Sequence, residues 1–242
     1  MRESGRIAAA ILLQVQGDAK PGVTTKALNE FAVKLIAEYG VESAFYNQPS
    51  GKNRELYPAV ICTSVNSQVV HGIPSSDVLK DGDILSLDFG VVYKGWYSDV
   101  AITMPIGKVA YEARRLIDVA KRALRQGLKK VRPGNTTGDI GNAIQRWVEG
   151  HGYQVVRDLC GHGIGKALHE PPEVPNFGKR HTGEVLQEGM VIAIEPMVTS
   201  GSWEVVNSKD NQGWETKDGS LSAHFEHTVA VTEEGCEVLT KI

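Results

Sequence analysis

The sequence predicts a mixed α/β (α+β) fold of two pseudo-symmetric helix-plus-strand halves, and three observations carry that reading. First, KPGVTTKALNEFAVKLIAEYG (20–40) and RPGNTTGDIGNAIQRWVEGHG (132–152) align without a gap at an offset of 112 residues. Pro-Gly, the Thr-Thr pair and the closing Gly coincide, and so do apolar pairs such as Leu28 with Ile140 and Leu35 with Trp147. Second, each copy follows a helical pattern, near 4–17 and 108–130, and precedes strand-like runs. Third, no linker or low-complexity tract interrupts the 242 residues. One domain over 1–242 follows, with halves of roughly 1–105 and 106–242 and a cleft between them as the natural place for a site.

In chain order, MRESGRIAAAILLQVQGDAK superficially resembles a signal peptide, with arginines and an apolar run from Ile7 to Leu13. The run is short and lacks a convincing small-residue cleavage site. It also matches the helix before the second repeat copy, so an amphipathic first helix is the better reading. Each copy then reads as a turn, a Thr N-cap, about four helical turns with i, i+3, i+4 apolar spacing, and a Gly stop.

Residues 83–104, DILSLDFGVVYKGWYSDVAITM, read as two strands joined at a tight Lys94-Gly95 turn, where Gly accepts the positive φ that such turns demand. Closing the ladder there pairs Tyr93 with Trp96, Gly90 with Asp99, and Asp88 with Ala101. Alternation sends Leu85, Leu87, Phe89, Val91, Val100 and Ile102 to one face and Ser86, Asp88, Gly90, Asp99, Ala101 and Thr103 to the other. Asp88 and Asp99 are then diagonal cross-strand neighbours, their Cβ atoms about 7 Å apart or less.

The composition is that of a soluble globular protein, 41% hydrophobic and 23% charged. A net charge of −3 gives no footprint for nucleic acid or an anionic membrane. No run of apolar residues is long enough for a transmembrane helix. Cys62, Cys160 and Cys236 form an odd, sparse set without CxxC, which argues against a disulfide framework and for a reducing compartment.

The two aspartates admit two readings. One is the solvent side of a half-buried hairpin. The other is a cation site, because the neighbouring Ser, Gly and Ala leave room beside carboxylates that would otherwise repel each other. CGHGIGKALHE (160–170) sets His162 between glycines and His169 seven residues later; a hydrogen-bonded core histidine is the alternative there. Glu195 in MVIAIEPMV reads as lying in an apolar strand buried on both faces, and Glu226 in LSAHFEHTVAVT as lying mid-strand between His224 and His227. A buried carboxylate must be protonated, paired or metal-bound, and an adjacent histidine or a basic partner would satisfy each glutamate singly. Four carboxylates and one imidazole jointly suit a pair of divalent ions of the Mn, Fe, Co or Zn kind and point to metal-assisted hydrolysis. No GxSxG elbow, P-loop, dinucleotide fingerprint or HExxH competes.

The ordered set HGIP (71–74), LDFG with Asp88, YSDV with Asp99, CGHGIG (160–165), LHEPP (168–172), IEPM (194–197) and FEHT (225–228) resembles the methionine aminopeptidases of the short, type I class, within the M24 peptidases. The resemblance runs nearly end to end. It implies the pita-bread fold, two related halves around a central antiparallel sheet. It further implies removal of an N-terminal methionine that precedes a small residue, through attack by a hydroxide held between two divalent metal ions (Co, Mn, Fe, Zn or Ni). By the same resemblance Asp88 chelates one metal, Asp99 and Glu226 bridge both, and His162 and Glu195 bind the second. Glu195 is also the general base, His169 and His71 contact the substrate near the scissile amide, and Cys62 and Leu168 line the methionine pocket. The implied setting is a cytoplasmic monomer acting on peptides or nascent chains, with a transient ribosome contact, no stable nucleic-acid binding and no membrane.

Departures from the family pattern fall in the pocket. Leu168 stands where an aromatic residue is usual, and FYNQPSGKNRELYP (45–58), expected at the pocket rim, is longer than expected. Only 32 residues separate His162 from Glu195, too few for the helical insertion of the type II class, and no Cys-rich N-terminal extension is expected. Two rivals remain at this level. One is a proline-specific peptidase such as prolidase, which normally carries a large N-terminal domain, whereas here the first repeat begins at once. The other is a binding module of the same fold that contacts ribosomes or RNA; such a module is expected to lose ligands, and all five are present.

Overall fold

The structure, a computed structural model, describes residues 1–50 and 55–241. Its first helix, α1 (Arg2–Asp18), buries Ile7, Ala8, Ile11, Leu12 and Val15, the amphipathic stripe the sequence predicts, and packs across the central hairpin. The Ser4 and Ser98 hydroxyls meet at 2.8 Å within that contact. Helix α2 (Thr25–Tyr39) starts where Thr24 Oγ1 accepts the Ala27 N–H, and α4 (Thr137–Gly150) starts at a Thr136–Asp139 capping box. Both repeat helices are followed by glycine at positive φ, Gly40 at 63° and Gly152 at 84°. Helix α3 (Tyr111–Leu128) precedes α4 and packs against it, as α1 precedes and packs against α2.

The repeat extends beyond the helices. Thr24 forms a lone bridge with Val78, and Thr136 forms one with Val185. One residue on, the Thr25 hydroxyl accepts the Ser75 N–H and the Thr137 hydroxyl accepts the Glu184 N–H. The two halves therefore repeat a hydrogen-bonding scheme as well as a sequence pattern.

The strands Ile84–Tyr93 and Trp96–Pro105 form an unbroken antiparallel hairpin in the expected register. Lys94 (φ 50°) and Gly95 (φ 72°) both take positive φ, the type I′ turn that matches strand twist. The sequence reading gave that duty to Gly95 alone; the Lys94 ammonium rests 5.2 Å from the Tyr93 ring centre. From the hairpin the main sheet continues through Glu226–Thr232, Val191–Ile194, Cys160–Gly163 and Glu170–Pro175. Strand Cys62–Val65 pairs on the hairpin's other side.

One apolar cluster joins both halves, with Ile11, Leu28 and Phe89 beside Leu116, Ile140 and Ile144. Each such side chain contributes about 1.5–3 kcal/mol on burial. Residues Ile84–Val91 are buried on both faces, so the hairpin's polar face is not a solvent face. Among the described residues no helix is long and apolar enough to cross a membrane.

Two placements differ from the sequence reading. Glu195 lies just past the strand Val191–Ile194, not inside it, because Pro196 supplies no N–H to continue the ladder. Glu226 opens the strand Glu226–Thr232 after a break at Phe225, so it stands at a strand start, not mid-strand.

Candidate active site

Register brings the first carboxylates together. A single lateral row across four strands reads Cys62, Asp88, Ala101, Glu226. Residues in such a row project to one face, and Ala101 is the short side chain that leaves space between Asp88 and Glu226. Asp99 lies on the same face two residues from Ala101. Thr228 locks this register: its hydroxyl accepts the Asp99 N–H at 2.9 Å and donates to the Asp99 carbonyl at 2.8 Å.

Glu195 arrives from the break after Ile194, whose last ladder partner is His227. The next step of that register faces Glu195 toward Glu226. Asn176 holds the Glu195 carbonyl through its side-chain N–H at 3.0 Å. His162 sits between two glycines that approach other backbone closely. A Cβ at Gly161 would lie 2.3 Å from the Ala193 oxygen, and one at Gly163 would lie 2.1 Å from the Pro171 oxygen. His162 Nδ1 donates to the Gly163 carbonyl at 2.9 Å, which leaves the Nε2 lone pair 3.6 Å from Glu195 Oε1. The His169 ring meets His162 edge-on at 4.4 Å.

All nine residues singled out in the sequence (Cys62, His71, Asp88, Asp99, His162, Leu168, His169, Glu195 and Glu226) line one cavity of about 450 Å³. The described part of the 45–58 stretch contributes Phe45, Gln48, Pro49, Ser50 and Tyr57 to its wall, and residues 51–54 of that stretch lie outside the described residues. Leu168 and Cys62 are buried in a small apolar cluster with Phe45, Tyr57 and Ile164. Trp214 and Asn207 complete the wall. Phe45 and Tyr57 fall in the stretch expected at the pocket rim, whereas sequence reasoning missed Trp214 and Asn207, whose segments are short and lack a periodic pattern.

The electrostatics leave the carboxyls either to hold protons or to take a cation. Burial, then repulsion from Asp99 and Glu195, pushes Asp88 well above the carboxylate range. Burial and the Glu195 charge raise Asp99 to about 7, burial raises Glu195 to about 8, and burial with Asp99 drives Glu226 well upward. Among the described residues no lysine or arginine pairs with any of the four; those ion pairs lie elsewhere. The adjacent histidines do not neutralise the glutamates either. His227 turns away to the Thr240 hydroxyl. His224 reaches Glu195 at 3.6 Å, but burial lowers it to about 3, and burial lowers His162 to about 4.

Residues 1–233 match the family described as Metallopeptidase family M24. The chain belongs to that family. This M24 chain is 45% identical over 242 residues to the methionine aminopeptidase of Clostridium perfringens, with 100% of this chain and 95% of that one covered. Its structure is similar to the crystal structure of methionine aminopeptidase from Rickettsia prowazekii, at TM-score 0.94 and 42% identity over 99% of this chain and 95% of that one. The curled antiparallel sheet between pseudo-symmetric halves is thus the pita-bread fold. A Xaa-Pro dipeptidase from Bacillus anthracis shares the fold at TM-score 0.79, but at 24% identity and over 59% of that chain.

Membership of the M24 metallopeptidases implies use of divalent metal, and the residues fit it. Donor atoms of Asp99, His162 and Glu226 all lie within 4.8 Å of one another. Asp88 Oδ1 and Glu226 Oε1 are buried without a hydrogen-bond partner. Orphaned carboxylate oxygens beside an imidazole lone pair form a hard, oxygen-rich donor set.

Proposed function

We propose that residues 1–242 act as one metallopeptidase domain, with halves near 1–105 and 106–242, whose cleft removes the N-terminal methionine from peptides and nascent chains with a small second residue. The enzyme is a hydrolase, a metal-dependent methionyl aminopeptidase. The observation that carries this reading is the convergence on one cavity with an apolar wall of His162 and four carboxylates, three buried and Glu195 mostly so, none paired with a lysine or arginine among the described residues.

Asp88, Asp99, His162, Glu195 and Glu226 would hold two divalent ions, with Asp99 and Glu226 shared between them. When bound, such ions acidify water and polarise a carbonyl. The protein's own groups do the remainder. Glu195 takes the proton of the attacking water. His169 and His71 are held neutral, His71 at about 4 by burial and its histidine neighbours, so each can donate to the scissile amide as charge develops. Cys62, Leu168, Phe45, Tyr57 and Trp214 take the methionine side chain. As the tetrahedral intermediate collapses, Glu195 returns the proton taken from water to the amide nitrogen, the C–N bond breaks, and free methionine and the shortened peptide amine leave. A cytoplasmic monomer with a transient ribosome contact completes the reading.

The test is peptide cleavage by metal-stripped protein with Co, Mn, Fe, Zn and Ni added back one at a time. Met-Gly peptides should be cleaved and Xaa-Pro peptides left intact. Turnover indifferent to chelator, or a preference for Xaa-Pro, overturns the reading.

A further inference from the structure

We infer that the outward face of α3, with the clefts beside Trp147, is a docking surface for the sugar-phosphate backbone of RNA. The choice of RNA rests on the function proposed above, since a protein acting on nascent chains works beside RNA. The chain's total of −3 conceals where its charge sits. Residues 111–132 carry eight cations, Arg114, Arg115, Lys121, Arg122, Arg125, Lys129, Lys130 and Arg132, against two acids, Glu112 and Asp118. All eight are exposed, and among the described residues none of them forms an ion pair. Helical spacing sets them in two rows along one face, Arg114, Lys121 and Arg125 beside Arg115, Arg122 and Lys129. At 1.5 Å per residue the rows run for about 20 Å.

The first half is the control. Helix α1, which precedes the first repeat helix as α3 precedes the second, has two arginines and two acids. Both arginines are paired, Arg2 with Glu237 and Arg6 with Glu3. Helix α2 balances two lysines with two glutamates. A basic face is thus no requirement of the fold. Leu116 and Ile117, on the inner side of α3, share the apolar cluster with Phe89 and Val100, from the hairpin face opposite Asp88 and Asp99. A partner on the outer side therefore leaves the catalytic cleft open.

Between α3 and α4, the half-buried Trp147 lines two clefts. One, of about 200 Å³, has Arg115 and Arg122 in its wall, and the other, of about 370 Å³, has Lys130, Arg146 and Arg180. Asp118 and Asp139 line them too, but Asp139 is engaged in its capping box. Cations interleaved with an aromatic ring suit phosphates and a stacked base. A membrane surface would instead need bulky apolar groups on this face, and the one large apolar side chain that α3 exposes is Tyr111.

The experiment measures fluorescence anisotropy of a labelled RNA hairpin with the full chain. If about four cations reach phosphates, affinity should fall about 10²-fold between about 50 and 200 mM salt. The triple variant Arg114→Glu, Lys121→Glu, Arg125→Glu should weaken binding at least about tenfold, and the corresponding Gln triple should flatten the log–log salt slope by about three. Lys20→Glu, Lys26→Glu, Lys34→Glu changes net charge equally at exposed lysines of the first half and should leave affinity within about twofold. All variants should cleave Met-Gly peptides like the wild type. Equal weakening by the two Glu triples, or binding to anionic vesicles without binding to RNA, overturns the inference. Cleavage without RNA binding overturns the inference alone, and RNA binding without cleavage overturns the proposed function alone.

Discussion

The two halves of the molecule supply the candidate metal centre by different means. The first delivers Asp88 and Asp99 from inside an unbroken ten-residue ladder, where pleat alternation alone fixes their common face. The second delivers His162, Glu195 and Glu226 from irregularities: glycine-flanked backbone, the end of a strand at Pro196, and a strand start after Phe225. Repeated architecture thus carries two kinds of placement. A regular ladder sets spacing between like groups. Breaks in a ladder let side chains turn toward those groups from across the cleft.

The sharpest way to break this comparison is to remove one bridging carboxylate from each half. Asp99→Asn and Glu226→Gln should each abolish measurable turnover and weaken divalent binding, read by peptide assay and metal analysis. Near-normal activity in either variant would mean that one half alone makes the centre. His169→Ala should have the next largest effect. A donor used mostly in the transition state should cost about 10²-fold in kcat with metal content retained. Metal loss in that variant would instead make His169 a ligand.

The smallest effect concerns stability of the metal-stripped protein. Asp99 and Glu195 sit at about 7 and 8 in the fold, above their unfolded values, so the folded state binds more protons and loses stability as pH rises. His71, His162, His169, His224 and His227 have lowered values and oppose this until the unfolded imidazoles have lost their protons, about one pH unit above 6.5. Between about pH 7.5 and 8.5, where those imidazoles are largely neutral in both states, the carboxylates prevail. Thermal scans in chelator should show the midpoint falling across that window, at up to about 1.4 kcal/mol per pH unit for each retained proton, and divalent ion should abolish the slope. A flat profile would show that the carboxylates already have counter-charges in the fold.

The same division explains what was legible in the sequence. Hairpin register follows from one turn and period-two alternation, and the repeat helices follow from Thr caps and glycine stops. Residue types at fixed spacing marked His162, Glu195 and Glu226; the strand end before Glu195 has a local signal in Pro196, but the strand start at Glu226 does not, because it depends on tertiary pairing. Asn207 and Trp214 carry no local signature, since this part of the pocket wall is assembled from distant short strands. Lys94 at positive φ was likewise hidden, because nothing in its residue type announces a left-handed backbone.

His71 combines a left-handed backbone, φ 59°, with a buried Nδ1 that lacks a partner. Residues branched at Cβ are strained in that conformation, whereas asparagine and glycine enter it readily. Drift at this position is therefore channelled by the main chain before chemistry selects anything. Of the tolerated replacements asparagine keeps a donor, so it is the substitution that would separate the imidazole's contribution from that of the bend which aims it.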